Sequence, residues 1–109
     1  FKENLSLSQL VLNRASEAEK YGCAGVICSG EEISSIKRMC RSGFKVVVPG
    51  IRPLWAEVRK DDQSRTITPK EAILKGADMI VVGRPIRNAK EPGVAAKKIV
   101  DEIRSSLIA

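Results

Sequence analysis

The sequence predicts an α/β fold made of successive βα units around a parallel sheet. Two observations lead there. Three short runs, Ala24-Gly25-Val26-Ile27-Cys28, Lys45-Val46-Val47-Val48 and Met79-Ile80-Val81-Val82, are rich in β-branched residues and nearly continuous rather than alternating. Such runs suit strands covered on both faces, as parallel strands are. The segments between and around them carry apolar residues at helical spacing, so the order reads α-β-α-β-α-β-α.

Taken in order, Leu7, Leu10, Val11, Ala15 and Ala18 recur at a helical period before the first strand. Ser29-Gly30-Glu31-Glu32 has the pattern of a capping box and leads into Ile33, Ile36, Met39 and Cys40. Thr68-Pro69-Lys70-Glu71 is a stronger start signal, with proline at the first helical position and Ala72, Ile73 and Ala77 following. The last helix is marked by Ala95, Ala96, Ile99, Ile103 and Leu107. Gly22, Gly43 and Gly76 stand where a left-handed residue would end each of the first three helices. Between the second strand and its helix lies a long stretch from Arg52 to Ile67, around the lone Trp55. It follows the carboxyl end of a strand, where βα proteins place their chemistry, and loops of that length are usually functional or mobile.

At 109 residues the chain has room for one small domain, residues 1–109, and not for two. Its apolar share of 43% and charged share of 29% are those of an ordinary globular chain, which argues against long disorder. No stretch approaches the roughly 18 apolar residues of a membrane span. Lysine and arginine number 19 against 13 acids, a net charge of +6, which favours anionic partners. The cations are scattered and only four residues are aromatic, so base-stacking platforms are scarce and nucleic acid is not the expected partner. Cys23, Cys28 and Cys40 lack a C-x-x-C spacing and there is no histidine, so neither a metal site nor a cofactor is expected. The cysteines read as reduced, mostly buried thiols of a cytoplasmic protein. Without histidine, Ser-His-Asp and Cys-His triads are excluded.

Three motifs carry chemistry. In Val48-Pro49-Gly50-Ile51-Arg52-Pro53 a strand ends in Pro-Gly and then presents an arginine, whose planar fork matches phosphate oxygens. A strand-ending turn with a solvated arginine fits the same residues. In Asp61-Asp62-Gln63-Ser64-Arg65 the amide of Gln63 can donate to an anionic oxygen, while the acids could pair locally with Arg59, Lys60 or Arg65. In Val82-Gly83-Arg84-Pro85-Ile86 a second strand ends in glycine followed by arginine, a pattern suited to an anion nest. Two successive strands ending this way predict converging cations, hence a phosphate site on the last two units of a βα barrel.

Taken together, Ile27-Cys28-Ser29, the P-G-I-R-P of 49–53, Asp62-Gln63-Ser64-Arg65, Thr68-Pro69 and Val81-Val82-Gly83-Arg84-Pro85-Ile86 resemble, in order and over nearly the whole chain, the bacterial form of orotidine 5′-phosphate decarboxylase. Ala89-Lys90-Glu91-Pro92 is similar to that family's Ala-x-Asp-Pro, with Glu for Asp. The resemblance implies the C-terminal portion, the last three βα units, of a TIM (β/α)₈ barrel. It implies that Arg52, Gln63, Gly83 and Arg84 contact the 5′-phosphate of orotidine 5′-phosphate or uridine 5′-phosphate, with Pro49 beside the pyrimidine. It also implies a mobile loop holding Trp55 and Gln63 that closes over the phosphate, and a homodimer.

The sequence departs from the family at one decisive point. The family's chemistry rests on a charged Asp-x-Lys-x-x-Asp array, and no such array occurs here, so no catalytic residue is expected in this chain. Asp61-Asp62 and Asp101-Glu102 have the wrong spacing to replace it. The opening Phe1-Lys2-Glu3-Asn4 is neither a start methionine nor a signal peptide. The expectation is a piece of a longer chain that leans on the rest of a barrel, is inactive alone, and stands alone only with two open sheet edges and an uncovered apolar surface. Two other readings are a sugar-phosphate lyase relative such as 3-hexulose-6-phosphate synthase, and a non-catalytic phosphate-binding half-barrel.

Overall fold

The computed structural model describes residues 6–56 and 66–108. Helix α1 (Leu7–Lys20) leads to strand β1 (Gly25–Ile27), then α2 (Ile33–Met39), β2 (Lys45–Val48), α3 (Pro69–Lys75), β3 (Met79–Ile80), the single turn α4 (Arg84–Arg87) and α5 (Pro92–Ile108). The strands form one parallel sheet in the order β1-β2-β3. Pairing Val26 with Val46 and Val48 with Ile80 sets the register. Each strand is shorter than its apolar run. The ladder still continues past the formal ends, with Cys28 N–H donating to the Val47 carbonyl and Val81 N–H to that of Val48.

The core lies on the helix side of this sheet. Val46, Val48, Ile33, Ile36, Phe44 and Ala72 are fully buried there, with Val11, Leu12 and Ala18 of α1 packed against them. The other face departs from the expectation of strands covered on both sides. Ile27 is 72% exposed, Met79 61% and Val81 52%. Side chains alternate across a strand, so residues in register with Val47 share the face opposite Val46 and Val48. Among the described residues no second layer covers that face, and an apolar groove of about 780 Å³ runs along it between α1, Ile27, Val47 and Met79. This is the uncovered apolar surface expected of three strands standing alone.

The helix starts follow local chemistry. Thr68 Oγ1 accepts from the Glu71 N–H at 3.1 Å while Glu71 Oε1 accepts from the Thr68 N–H at 3.1 Å, the reciprocal box its sequence predicts. The Thr68 N–H and the Thr68 hydroxyl, at 2.9 Å, both donate to Glu71 Oε1 and, with the nearby charge of Lys75, hold the Glu71 carboxyl below its usual range against a smaller effect of burial. Ser6 and Gln9 form a second box at α1. The box expected at Ser29-Gly30-Glu31-Glu32 does not form. Helix α2 starts at Ile33 with no side-chain cap, because the buried Glu32 carboxylate turns instead to the hydroxyls of Ser29, at 2.9 Å, and Ser8, at 3.0 Å.

Gly22 and Gly76 take left-handed backbone after their helices, with φ of 88° and 110°. Gly43 does not. The chain leaves α2 in extended conformation at Cys40 and closes a turn from Phe44 N–H to the Arg41 carbonyl, so no left-handed residue is needed there. Of the cysteines, Cys28 and Cys40 are buried and Cys23 is exposed, all as free thiols. No described helix is long and apolar enough to cross a membrane.

Candidate functional site

The site is built at the carboxyl ends of β2 and β3, which are neighbours in the sheet. After β2 the chain turns at Gly50, whose φ of 71° is left-handed and therefore suits glycine. Arg52 is then held by its own backbone: its N–H donates to the Ile67 carbonyl at 2.8 Å, and the Ile67 N–H donates to the Gly50 carbonyl at 3.2 Å. This bridge between Ile51 and Ile67 ties the two ends of the long connection together at its base. Ile67 in turn packs on Gly30 at the end of the first unit, where an added Cβ would stand only 2.7 Å from Ile67 Cδ1. A glycine in the first unit thus makes room for the residue that anchors Arg52 in the second.

After β3, Gly83 precedes α4, and its carbonyl accepts from the N–H groups of Ile86 at 3.1 Å and Arg87 at 2.9 Å. The turn has Arg84 at its first position and the buried Pro85 at its second. Proline there fixes its own φ at a value suited to a helix start, and Arg84 beside it is exposed. A Cβ on Gly83 would meet nothing within 4 Å, so space lies open beside its backbone.

Arg52 and Arg84 line one cleft of about 960 Å³, bounded by the connection after β2 on one side and by α4 and the start of α5 on the other. Pro49 is half-buried at the end of β2. Gln63, with Asp61 and Asp62, lies outside the described residues. Lys98 reaches from α5 over the ring of Trp55, with its ammonium 5.2 Å from the ring centre, a cation–π contact that docks the start of the connection on the helix. Arg87, Lys90 and Lys98 also line the cleft and were not singled out from the sequence. For Lys98 the signal was present: it follows Val94 and Ala95 at spacings of four and three, which sets the three on one face of α5. Among the described residues no cluster of three or more Cys, Asp or Glu is placed to hold a metal ion.

Residues 2–99 match the family model described as orotidine 5′-phosphate decarboxylase / HUMPS family. The chain belongs to this family. It is 47% identical over 102 residues to an orotidine 5′-phosphate decarboxylase of Desulfosudis oleivorans, covering 94% of the chain and 41% of that protein. It is 45% identical over 101 residues to one of Syntrophomonas wolfei, again covering 41% of the relative. The chain therefore spans about two-fifths of the length of the curated relatives it matches. Among solved structures, the orotidine 5′-phosphate decarboxylase of Lactobacillus acidophilus superposes with a TM-score of 0.75 at 36% identity, covering 92% of the chain and 39% of that structure. The fold of this family member is accordingly an α/β part of a TIM (β/α)₈ barrel.

Proposed function

We propose that the chain is the C-terminal, phosphate-binding part of an orotidine 5′-phosphate decarboxylase, a carbon–carbon lyase that converts orotidine monophosphate to uridine monophosphate and CO₂ in pyrimidine biosynthesis. The observation that carries this is the convergence of Arg52 and Arg84, each behind the glycine-terminated end of adjacent parallel strands, on one open cleft. Two guanidinium forks facing a common space match the dianionic oxygens of a phosphate. The backbone at Gly83 and Arg84 would complete the grip, Gln63 would add a neutral donor, and Pro49 would flank the pyrimidine. The charged Asp-x-Lys-x-x-Asp array is absent from the 109 residues, so proton delivery to the carbon that loses CO₂ belongs to the rest of the barrel. On this reading the chain supplies binding energy at a group remote from the reacting carbon. Such energy can be used to organise the reacting end.

The uncovered sheet face supports the remaining barrel as the chain's first partner, and the complete protein is read as a cytoplasmic homodimer. The names of the curated relatives favour the decarboxylase over a sugar-phosphate lyase of the same family. The test is Arg84→Ala in the complete enzyme. We expect a loss of about 2–4 kcal/mol in transition-state binding for orotidine monophosphate, through the lost charge-assisted contact. The dephosphorylated nucleoside should be affected little. An equal loss for both substrates would remove the phosphate assignment.

A further inference from the structure

The cleft is larger and more basic than a single phosphate requires. Beyond Arg52 and Arg84 it runs across α4 to the first turns of α5, where Arg87, Lys90 and Lys98 line it and Glu91 is the one carboxylate among the described lining residues. Arg52 and Arg84 have further contacts of their own. Arg87 and Lys90 have no ion-pair partner among the described residues, and both are exposed. Like charges lining one cleft repel, and an anion bound among them relieves that repulsion. The arrangement is therefore asymmetric: one pair of arginines at the strand ends, and a second cationic group one helical turn further out.

We infer that the cleft has a second anion position, set by Arg87 and Lys90, and takes a diphosphate group rather than only a single phosphate. This rests on the phosphate reading of Arg52 and Arg84 and extends the same site outward. The first phosphoryl group lies between Arg52 and Arg84, and the second reaches Arg87 and Lys90 over α4. Binding is electrostatic and involves no bond change. The class of ligand that fits is a metabolite ending in a diphosphate, which would compete with a monophosphorylated substrate for the inner position.

Trp55, the single tryptophan of the chain, lines the cleft and so reports its occupancy by fluorescence. Inorganic phosphate and inorganic pyrophosphate are titrated at constant ionic strength, which holds screening fixed. Pyrophosphate is expected to bind about tenfold more tightly than phosphate. In Arg87→Ala/Lys90→Ala that preference should fall below about threefold while phosphate affinity changes little. In Lys20→Ala/Arg104→Ala, which removes two exposed cations outside the cleft, the preference should persist. Phosphate binding with no pyrophosphate preference, or a preference that survives the Arg87/Lys90 change, overturns the second position alone. No response to either anion overturns the inner phosphate reading and this inference with it.

Discussion

Lys37 Nζ stands 2.8 Å from Asp78 Oδ2 and 3.2 Å from the Phe44 carbonyl oxygen, and the same Asp78 oxygen accepts the Val46 N–H at 2.9 Å. One ammonium on α2 and one carboxylate before β3 thus fasten the start of β2 to both neighbouring units. The contact lies at the strand ends opposite the cleft, the side of a βα barrel that serves stability.

Asp78→Ala is expected to cost about 1–2 kcal/mol, because it strands the Val46 N–H and the Lys37 ammonium together. The pH dependence has a definite sign. Burial pushes the Asp78 carboxyl up, but the hydrogen bonds from Lys37 and Val46 and the charges of Lys37 and Lys45 outweigh it and leave its pKa lowered. A group with a lowered folded-state pKa contributes stability that is complete above its ordinary pKa and is lost as pH falls through the folded value. Thermal melts of Asp78→Asn should therefore show a shallower loss between about pH 5 and 2 than those of the parent chain. Parallel curves would refute the linkage.

Glu102 on α5 accepts the Lys70 N–H of α3 at 2.8 Å, while Thr68 Oγ1 takes the next N–H, that of Glu71. Two of the orphan donors at the start of α3 are thus satisfied by different elements. Glu102→Ala and Thr68→Ala should each cost about 1 kcal/mol. Urea unfolding of the double variant should give close to the sum, since the donors are distinct; a coupling above about 1 kcal/mol would show that they act as one cap.

Gly30→Ala forces a methyl group against Ile67, 2.7 Å from its Cδ1 and 3.0 Å from its Cβ. Ile67 must shift, and it carries the carbonyl that holds the Arg52 N–H. We expect destabilisation of about 1–3 kcal/mol, together with weaker phosphate binding. Adding Ile67→Val should recover part of both. Unchanged binding with lowered stability would separate Ile67 from the placement of Arg52.

Cys23 is exposed, whereas Cys28 and Cys40 are buried. Burial pushes the Cys40 thiol up, the charge and hydrogen bond of Glu19 add to that, and Arg41 opposes it. An aromatic disulfide reagent at neutral pH should therefore label one thiol quickly and the other two only in denaturant. Replacing Cys23 with Ser should abolish the fast phase; a fast phase that remained would place a buried thiol at the surface.

By itself the sequence determined the three apolar runs, their parallel βα order, the Thr68-Pro69 helix start and the arginines behind Gly50 and Gly83. Each of these is a local property: side-chain branching, a capping hydroxyl, a glycine next to a strand end. It missed the single turn α4, although Pro85 two residues after Gly83 was a sign of a helix start. It placed a cap at Ser29 that the fold spends on Glu32, because a carboxylate facing two hydroxyls from different elements cannot be read from spacing alone.

Only the tertiary structure decided the rest. Lys37 meets Asp78 across 41 positions of sequence and Glu102 meets Lys70 across 32, contacts that the register of the sheet and the packing of α3 on α5 create. It also gathered Arg87, Lys90 and Lys98 beside Arg52 and Arg84, and it left Ile27, Met79 and Val81 on an open face. Burial depends on what stands opposite a side chain. A run of β-branched residues states a preference for cover, and the assembled layers decide which face receives it.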